Sequence, residues 1–107
     1  MKKLFVISLI SVLAACASFK PLAPAQSDAD RATKKFPGTT LADLTEGKSI
    51  FETKCHKCHS LKKPFSKSED TIAKALPRMA KRANIDSKQQ DLVLKYLLTM
   101  NSVQNKK

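Results

Sequence analysis

Apolar residues recur three and four positions apart in three stretches of the chain, as they do in helices with one buried face. The first stretch predicts a helix over about residues 41–58. The second predicts a helix over about residues 67–76, which Pro77 stops or kinks. The third predicts a closing helix over about residues 87–100. Because glycine is scarce and the apolar period is helical throughout, the predicted fold class is all-α.

Polar residues mark where these helices begin. Either Thr40 or Thr45 could cap the first helix. The sequence Ser66–Glu69 has the S-x-x-E spacing of a capping box, and Asp86 with Gln89 reads as a second capping pair. The three inward faces are then formed by Leu41, Leu44, Phe51 and Cys55, by Ile72, Ala75, Leu76 and Met79, and by Val93, Tyr96, Leu97 and Met100.

A glycine, Gly47, lies in the middle of the first predicted helix. Glycine costs about 1 kcal/mol relative to alanine at such a position. The cost is offset if a second helix approaches closely at this point. The alternative, a tolerated glycine with no packing role, stays open.

The N-terminus carries an export signal. Two lysines precede an apolar run that is too short to remain as a membrane-spanning helix, so residues 1–15 are predicted to be a signal peptide. Leu13-Ala14-Ala15-Cys16 resembles the lipobox of bacterial lipoproteins. That resemblance implies cleavage before Cys16, acylation of Cys16 and an anchor on the periplasmic side of the outer membrane, with the inner membrane as the alternative. Ordinary cleavage after Ala17 would instead give a soluble periplasmic protein.

Residues 16–40 are expected to be a flexible linker between the lipid anchor and the folded domain. Three prolines and several polar residues interrupt the segment, and it has little apolar content. A flexible chain of this length reaches roughly 30 Å. The alternative is a short helix over residues 28–35 that docks on the domain.

The most informative motif is Cys55-His56-Lys57-Cys58-His59, which has the C-x-x-C-H pattern of covalent haem attachment. Two thiols can reach the two vinyl groups of one porphyrin while an imidazole reaches the iron. A thioredoxin-type redox pair is the first alternative, but it requires a βαβ unit. A zinc site is the second, but a closed site needs further ligands, and the chain has no other histidine and only Cys16 as a further cysteine.

With this motif, Gly47-x-x-x-Phe51 before it and a C-terminal helix containing Tyr96-Leu97, residues 41–101 resemble a small monohaem class I-type cytochrome c. The resemblance implies three main helices around one haem c. It implies that Cys55 and Cys58 hold the haem, and that His59 and Met79 ligate its iron. Residues 102–107 are predicted to be a frayed tail.

Basic residues surround the haem motif. The formal net charge is +11, and the segment 48–82 contains ten basic and three acidic residues. Such a rim suits rapid encounter with an acidic redox-partner protein, or is simply a solvated surface. Nucleic acid is not expected as a partner, because the chain carries an export signal and no nucleic-acid-binding motif.

The function predicted from these features is one-electron transfer rather than enzymatic catalysis. A haem-based sensor or ligand binder with an open axial site is the alternative, and it requires that Met79 does not bind the iron. An attached-haem enzyme ranks last because no spare histidine is available for acid–base chemistry. The hydroxyl of Tyr96 is expected to reach the haem rim or a propionate, and the alternative is that Tyr96 simply packs in the core.

Overall fold

The computed structural model describes residues 20–55 and 60–104 of the chain. Within these residues the structure is helical and contains no strand, which confirms the predicted all-α class. Four α-helices and one 3-10 turn follow in the order α1 (Gln26–Ala32), α2 (Leu41–Lys54), the turn Pro64–Ser66, α3 (Glu69–Ala83) and α4 (Ser87–Gln104).

Side-chain caps fix the starts of α2 and α4. The backbone N–H of Asp43 donates to Thr40 Oγ1 (3.1 Å), and the N–H of Thr40 donates to Asp43 Oδ2 (3.0 Å). The hydrogen bond that the Thr40 backbone donates to the Asp43 carboxylate is the main cause that lowers the pKa of Asp43 below its usual value. Asp86 and Gln89 exchange the equivalent bonds before α4. Thr40 is therefore the cap of α2, and the predicted capping pair of α4 is confirmed.

Helix α3 differs from its prediction at both ends. It begins at Glu69, because the hydroxyl of Ser68 accepts the N–H of Thr71 and so caps the helix two residues later than predicted. It also continues through Pro77 to Ala83. Of the two alternatives for Pro77, a stop or a kink, the stop is therefore wrong. Proline removes one helical hydrogen bond, but Leu76 and Ala80 on either side are buried and hold the helix in place.

The C-terminal ends of α2 and α4 also differ from the predicted ones. Helix α2 ends at Lys54, with Cys55 as its C-cap, so the described part of the helix stops where the haem motif begins. Helix α4 continues past Met100 to Gln104, and Asn101 is buried, so the tail does not begin at residue 102.

The core is formed where α2 crosses α4. Phe51 of α2 packs edge-on against Phe65 of the 3-10 turn, with ring centroids 5.8 Å apart, and both rings contact Tyr96 of α4. Aromatic pairs favour such edge-to-face contacts over a direct face-to-face sandwich. Met100 is buried in the same cluster, as its predicted packing role requires.

Residues 20–40, the described part of the predicted linker 16–40, dock on the helices instead of forming a flexible linker. Pro21 is buried, the hydroxyl of Tyr96 donates to the carbonyl oxygen of Leu22 (2.9 Å), and the guanidinium of Arg31 donates to the carbonyl oxygen of Thr99 (3.0 Å). Ala29 and Ala32 of α1 are buried against Leu44. This agrees with the alternative of a short docked helix, although α1 spans Gln26–Ala32 rather than the predicted residues 28–35. Two alanines at helical spacing are enough to bury one face of so short a helix.

At Gly47 the helices α2 and α4 approach each other closely. A Cβ atom placed at Gly47 would lie 2.2 Å from the carbonyl oxygen of Leu92 and 3.0 Å from Cβ of Tyr96. The first of these distances is far inside van der Waals contact, and the neighbour is backbone. The predicted packing role of Gly47 is therefore confirmed.

Gly47→Ala is expected to lower the free energy of unfolding by about 1–3 kcal/mol, because the added methyl group must push α4 away. Glycine to alanine in a helix ordinarily stabilises by about 1 kcal/mol, so the sign is diagnostic. Denaturant unfolding of the purified protein measures it, with Ser49→Ala on the exposed side of α2 as the control. A Gly47→Ala variant more stable than wild type would contradict the close approach.

The variant Tyr96→Phe tests the hydrogen bond between Tyr96 of α4 and Leu22 of the N-terminal segment. Burial, and secondarily the charge of Glu52, raises the pKa of Tyr96 above its usual value of 10.0. The folded state therefore keeps the phenol protonated where the unfolded state ionises it. The resulting stabilisation is complete below the unfolded-state pKa and is lost as the pH rises above it, by up to about 1.4 kcal/mol per pH unit.

The variant should lose about 1 kcal/mol at neutral pH, because the bond to Leu22 is gone. It should also lose less stability than wild type between about pH 9 and pH 11, because it has no phenol to ionise. Unfolding free energies measured across that range check both effects. Parallel pH curves for the two proteins would show that Tyr96 is not buried as described.

Candidate functional site

A cavity of about 300 Å³ lies between the C-terminal end of α2, the 3-10 turn and one face of α3. Its lining is mainly apolar in area but includes several cationic side chains. The lining residues are Lys54, Cys55, Lys63, Pro64, Lys67, Thr71, Ile72, Ala75, Arg78, Met79, Arg82 and Ala83.

Two of the predicted site residues, Cys55 and Met79, line this one cavity. Cys55 is buried and caps the end of α2, whereas Met79 is half-buried on α3. The other three predicted site residues, Cys58, His59 and Cys16, lie outside the described residues. The structure thus brings a thiol and a thioether from separate elements to the same space.

The register of α3 explains why Met79 faces the cavity. Ile72, Leu76 and Ala80 are buried and form the face that packs into the protein. Ala75 and Met79 lie four residues apart on an adjacent face, and both are half-buried. The sequence predicted that Ile72, Ala75, Leu76 and Met79 share a single inward face. In the structure Leu76 lies on the packing face, Ala75 and Met79 lie on the cavity face, and Ile72 is buried and also lines the cavity.

The 3-10 turn after the haem motif contributes one residue to the cavity and one to the core. Pro64 is buried and lines the cavity, while Phe65 joins the aromatic cluster with Phe51 and Tyr96. The hydroxyl of Tyr96 donates a hydrogen bond to the carbonyl oxygen of Leu22. The expectation that this hydroxyl reaches the rim of a ligand is therefore corrected, and the packing alternative holds.

The charged residues that line the cavity are all basic. Five basic residues line it, namely Lys54, Lys63, Lys67, Arg78 and Arg82, and no acidic residue does. All nine acidic residues of the chain lie in the described part, and five of them form ion pairs elsewhere on the molecule. The cavity is accordingly a place where an anionic group is favoured.

The basic residues predicted around the haem motif do not act as one group. Lys48 and Lys74 pair with Glu52 and Asp70 along their own helices, so their charges are compensated. Lys62 and Lys81 are exposed and lie outside the cavity lining. The remaining described members line the cavity. The sequence could not make this division, because it depends on which side of each helix faces the cavity.

Within residues 20–55 and 60–104, no three His, Cys, Asp or Glu side chains lie close enough together to hold a metal ion. None of the helices described for this chain is long and apolar enough to cross a membrane. No protein-family model, no curated protein and no solved structure matches the chain.

Proposed function

We propose that this protein is a one-electron carrier with one covalently attached haem c. In this proposal Cys55 and Cys58 hold the porphyrin and His59 and Met79 are the axial ligands of its iron. The signal peptide exports the chain, and Cys16 carries the lipid that anchors it on the periplasmic side of the outer membrane. The partner is an acidic redox protein.

The observation that carries the proposal is the shared cavity of Cys55 and Met79. These residues are 24 positions apart in the chain. The haem motif marks Cys55, and the resemblance that rests on the same motif implies Met79 as a ligand of the same cofactor. Met79 is half-buried at this cavity and is not among the buried residues of the core. A covalent haem gives both residues a function in the cavity.

The residues around the cavity fit a porphyrin. Pro64, Ile72 and Ala75 supply apolar surface, as the flat faces of the ring require. Lysine and arginine side chains complement its carboxylate groups. Haem supplies reversible one-electron chemistry at iron, and methionine as an axial ligand raises the reduction potential relative to a second histidine.

In this proposal, residues of the chain attach the haem, position its ligand and orient its partner. Cys55 is buried at the end of α2, which fixes where the ligand is attached. Helix α3 holds Met79 at a constant position, since Leu76 and Ala80 anchor the same helix in the core. Lys62 is exposed and forms no ion pair within the described residues, so it is suited to orient an acidic partner.

Visible spectroscopy of the purified oxidised protein tests the iron ligation. Wild type should show the weak red absorption of thioether-ligated ferric haem, and its reduced form should not bind CO readily. Met79→Leu should lose that band and bind CO, because leucine keeps the volume but has no sulfur. Met100→Leu should behave as wild type, since Met100 is buried in the core cluster.

Two results would contradict this ligation. If Met79→Leu and wild type have the same spectrum, Met79 does not ligate the iron. If wild type itself binds CO readily, the axial site is open, and the sensor or ligand-binder alternative replaces electron transfer.

A further inference from the structure

We propose that Arg78 and Arg82 form a carboxylate-binding pair for the ligand of the cavity. The inference rests on the proposed function, under which those carboxylates are the two propionate groups of the haem. The pair would then hold the porphyrin in one orientation and set the electrostatic field at its iron. Neither role is assigned by the haem motif or by the axial ligands.

The first argument is placement. Arg78 and Arg82 lie four residues apart on α3, so their side chains project from the same side of the helix. Both line the cavity, as does Met79, which lies between them in sequence. A ligand that reaches Met79 therefore comes within the range of both guanidinium groups.

The second argument is the absence of a competing partner. Neither arginine forms an ion pair with any of the nine acidic residues, all of which fall within the part of the chain that the structure describes. By contrast, Arg31, Lys35, Lys48, Lys74 and Lys95 each pair with a carboxylate. The two arginines at the cavity are thus left for an external anion.

The third argument is the chemistry of the side chain. A guanidinium group is planar and can donate two parallel hydrogen bonds to one carboxylate, whereas the ammonium group of lysine acts as a point charge. The two arginines of α3 can therefore fix an orientation. The cavity lysines Lys54, Lys63 and Lys67 add positive potential without that geometric constraint.

A competing explanation is that these cations only stabilise the C-terminal end of α3. Basic residues in the last turn of a helix interact favourably with its dipole, and both Lys81 and Arg82 lie there. Lys81 is exposed and does not line the cavity. It therefore has the same charge and the same helix turn as Arg82 but no access to the ligand, which makes Lys81→Gln the matched control.

The experiment is a comparison of reduction potentials for haem-loaded wild type, Arg78→Gln, Arg82→Gln, the double variant and Lys81→Gln. Reduction adds a negative charge at the iron, so loss of a cation that offsets a propionate disfavours it. Each Arg→Gln change should shift the reduction equilibrium toward the oxidised form by about threefold or more, and the double variant further. Lys81→Gln should leave the equilibrium close to that of wild type.

Infrared difference spectra of the reduced and oxidised forms provide the second measurement. The propionate carboxylate bands should move in both arginine variants and stay in place in Lys81→Gln. Arg78→Lys and Arg82→Lys should restore most of the potential, because the charge is kept, but not the band positions, because lysine lacks the two-pronged donor. All the substituted side chains are exposed, so the variants should fold.

The outcomes separate this inference from the function on which it rests. If the protein carries haem but the arginine variants match Lys81→Gln in potential and infrared bands, the carboxylate pair is wrong and the electron carrier stands. If the purified protein carries no haem, both are wrong.

Discussion

The contact between the backbones of α2 and α4 is the constraint on which the rest of the described structure depends. Gly47 lets α2 approach to within van der Waals contact of the Leu92 carbonyl group. That approach brings Phe51 and Tyr96 together and leaves room for Phe65 to close the aromatic cluster. Since Phe51 is one helical turn before Cys55, the same contact decides where the thiol at the end of α2 is placed.

The N-terminal segment adds a second layer to this arrangement. It is fastened to α4 at three points, through the hydroxyl of Tyr96, the amide of Gln104 and the guanidinium of Arg31. Lys35 also pairs with Glu69 at the start of α3. A domain of this size has little apolar surface to bury, and a docked segment increases the buried share. The cavity face of α3 is not part of these contacts.

Local patterns predicted much of the fold because short-range physics determines it. The Asp86–Gln89 cap and the helical periods could be read from neighbouring residues. The role of Gly47 stayed open, because the helix that it approaches, α4, lies more than 40 positions further along the chain. The docking of residues 20–40 could not be read from neighbouring residues, because it depends on α4, whose Tyr96 and Gln104 are more than 70 positions away. The passage of α3 through Pro77 likewise depends on the burial of Leu76 and Ala80.

Part of the candidate site could likewise be predicted from the sequence, and part of it could not. Cys55 was marked by its motif, and Met79 by a resemblance. The arginines beside Met79 were first grouped with a surface rim, because only the structure shows that they line the cavity with Cys55 and that the acidic residues pair elsewhere. Charge counts cannot separate a cation that faces a ligand from one that faces solvent.

The most direct test of the central claim is the intact mass and iron content of the mature protein, purified from a host that can assemble c-type cytochromes. The account predicts one iron per chain and a mass increased by one porphyrin, retained after denaturation because the attachment is covalent. Colourless protein with the mass of the polypeptide and its lipid alone would contradict it.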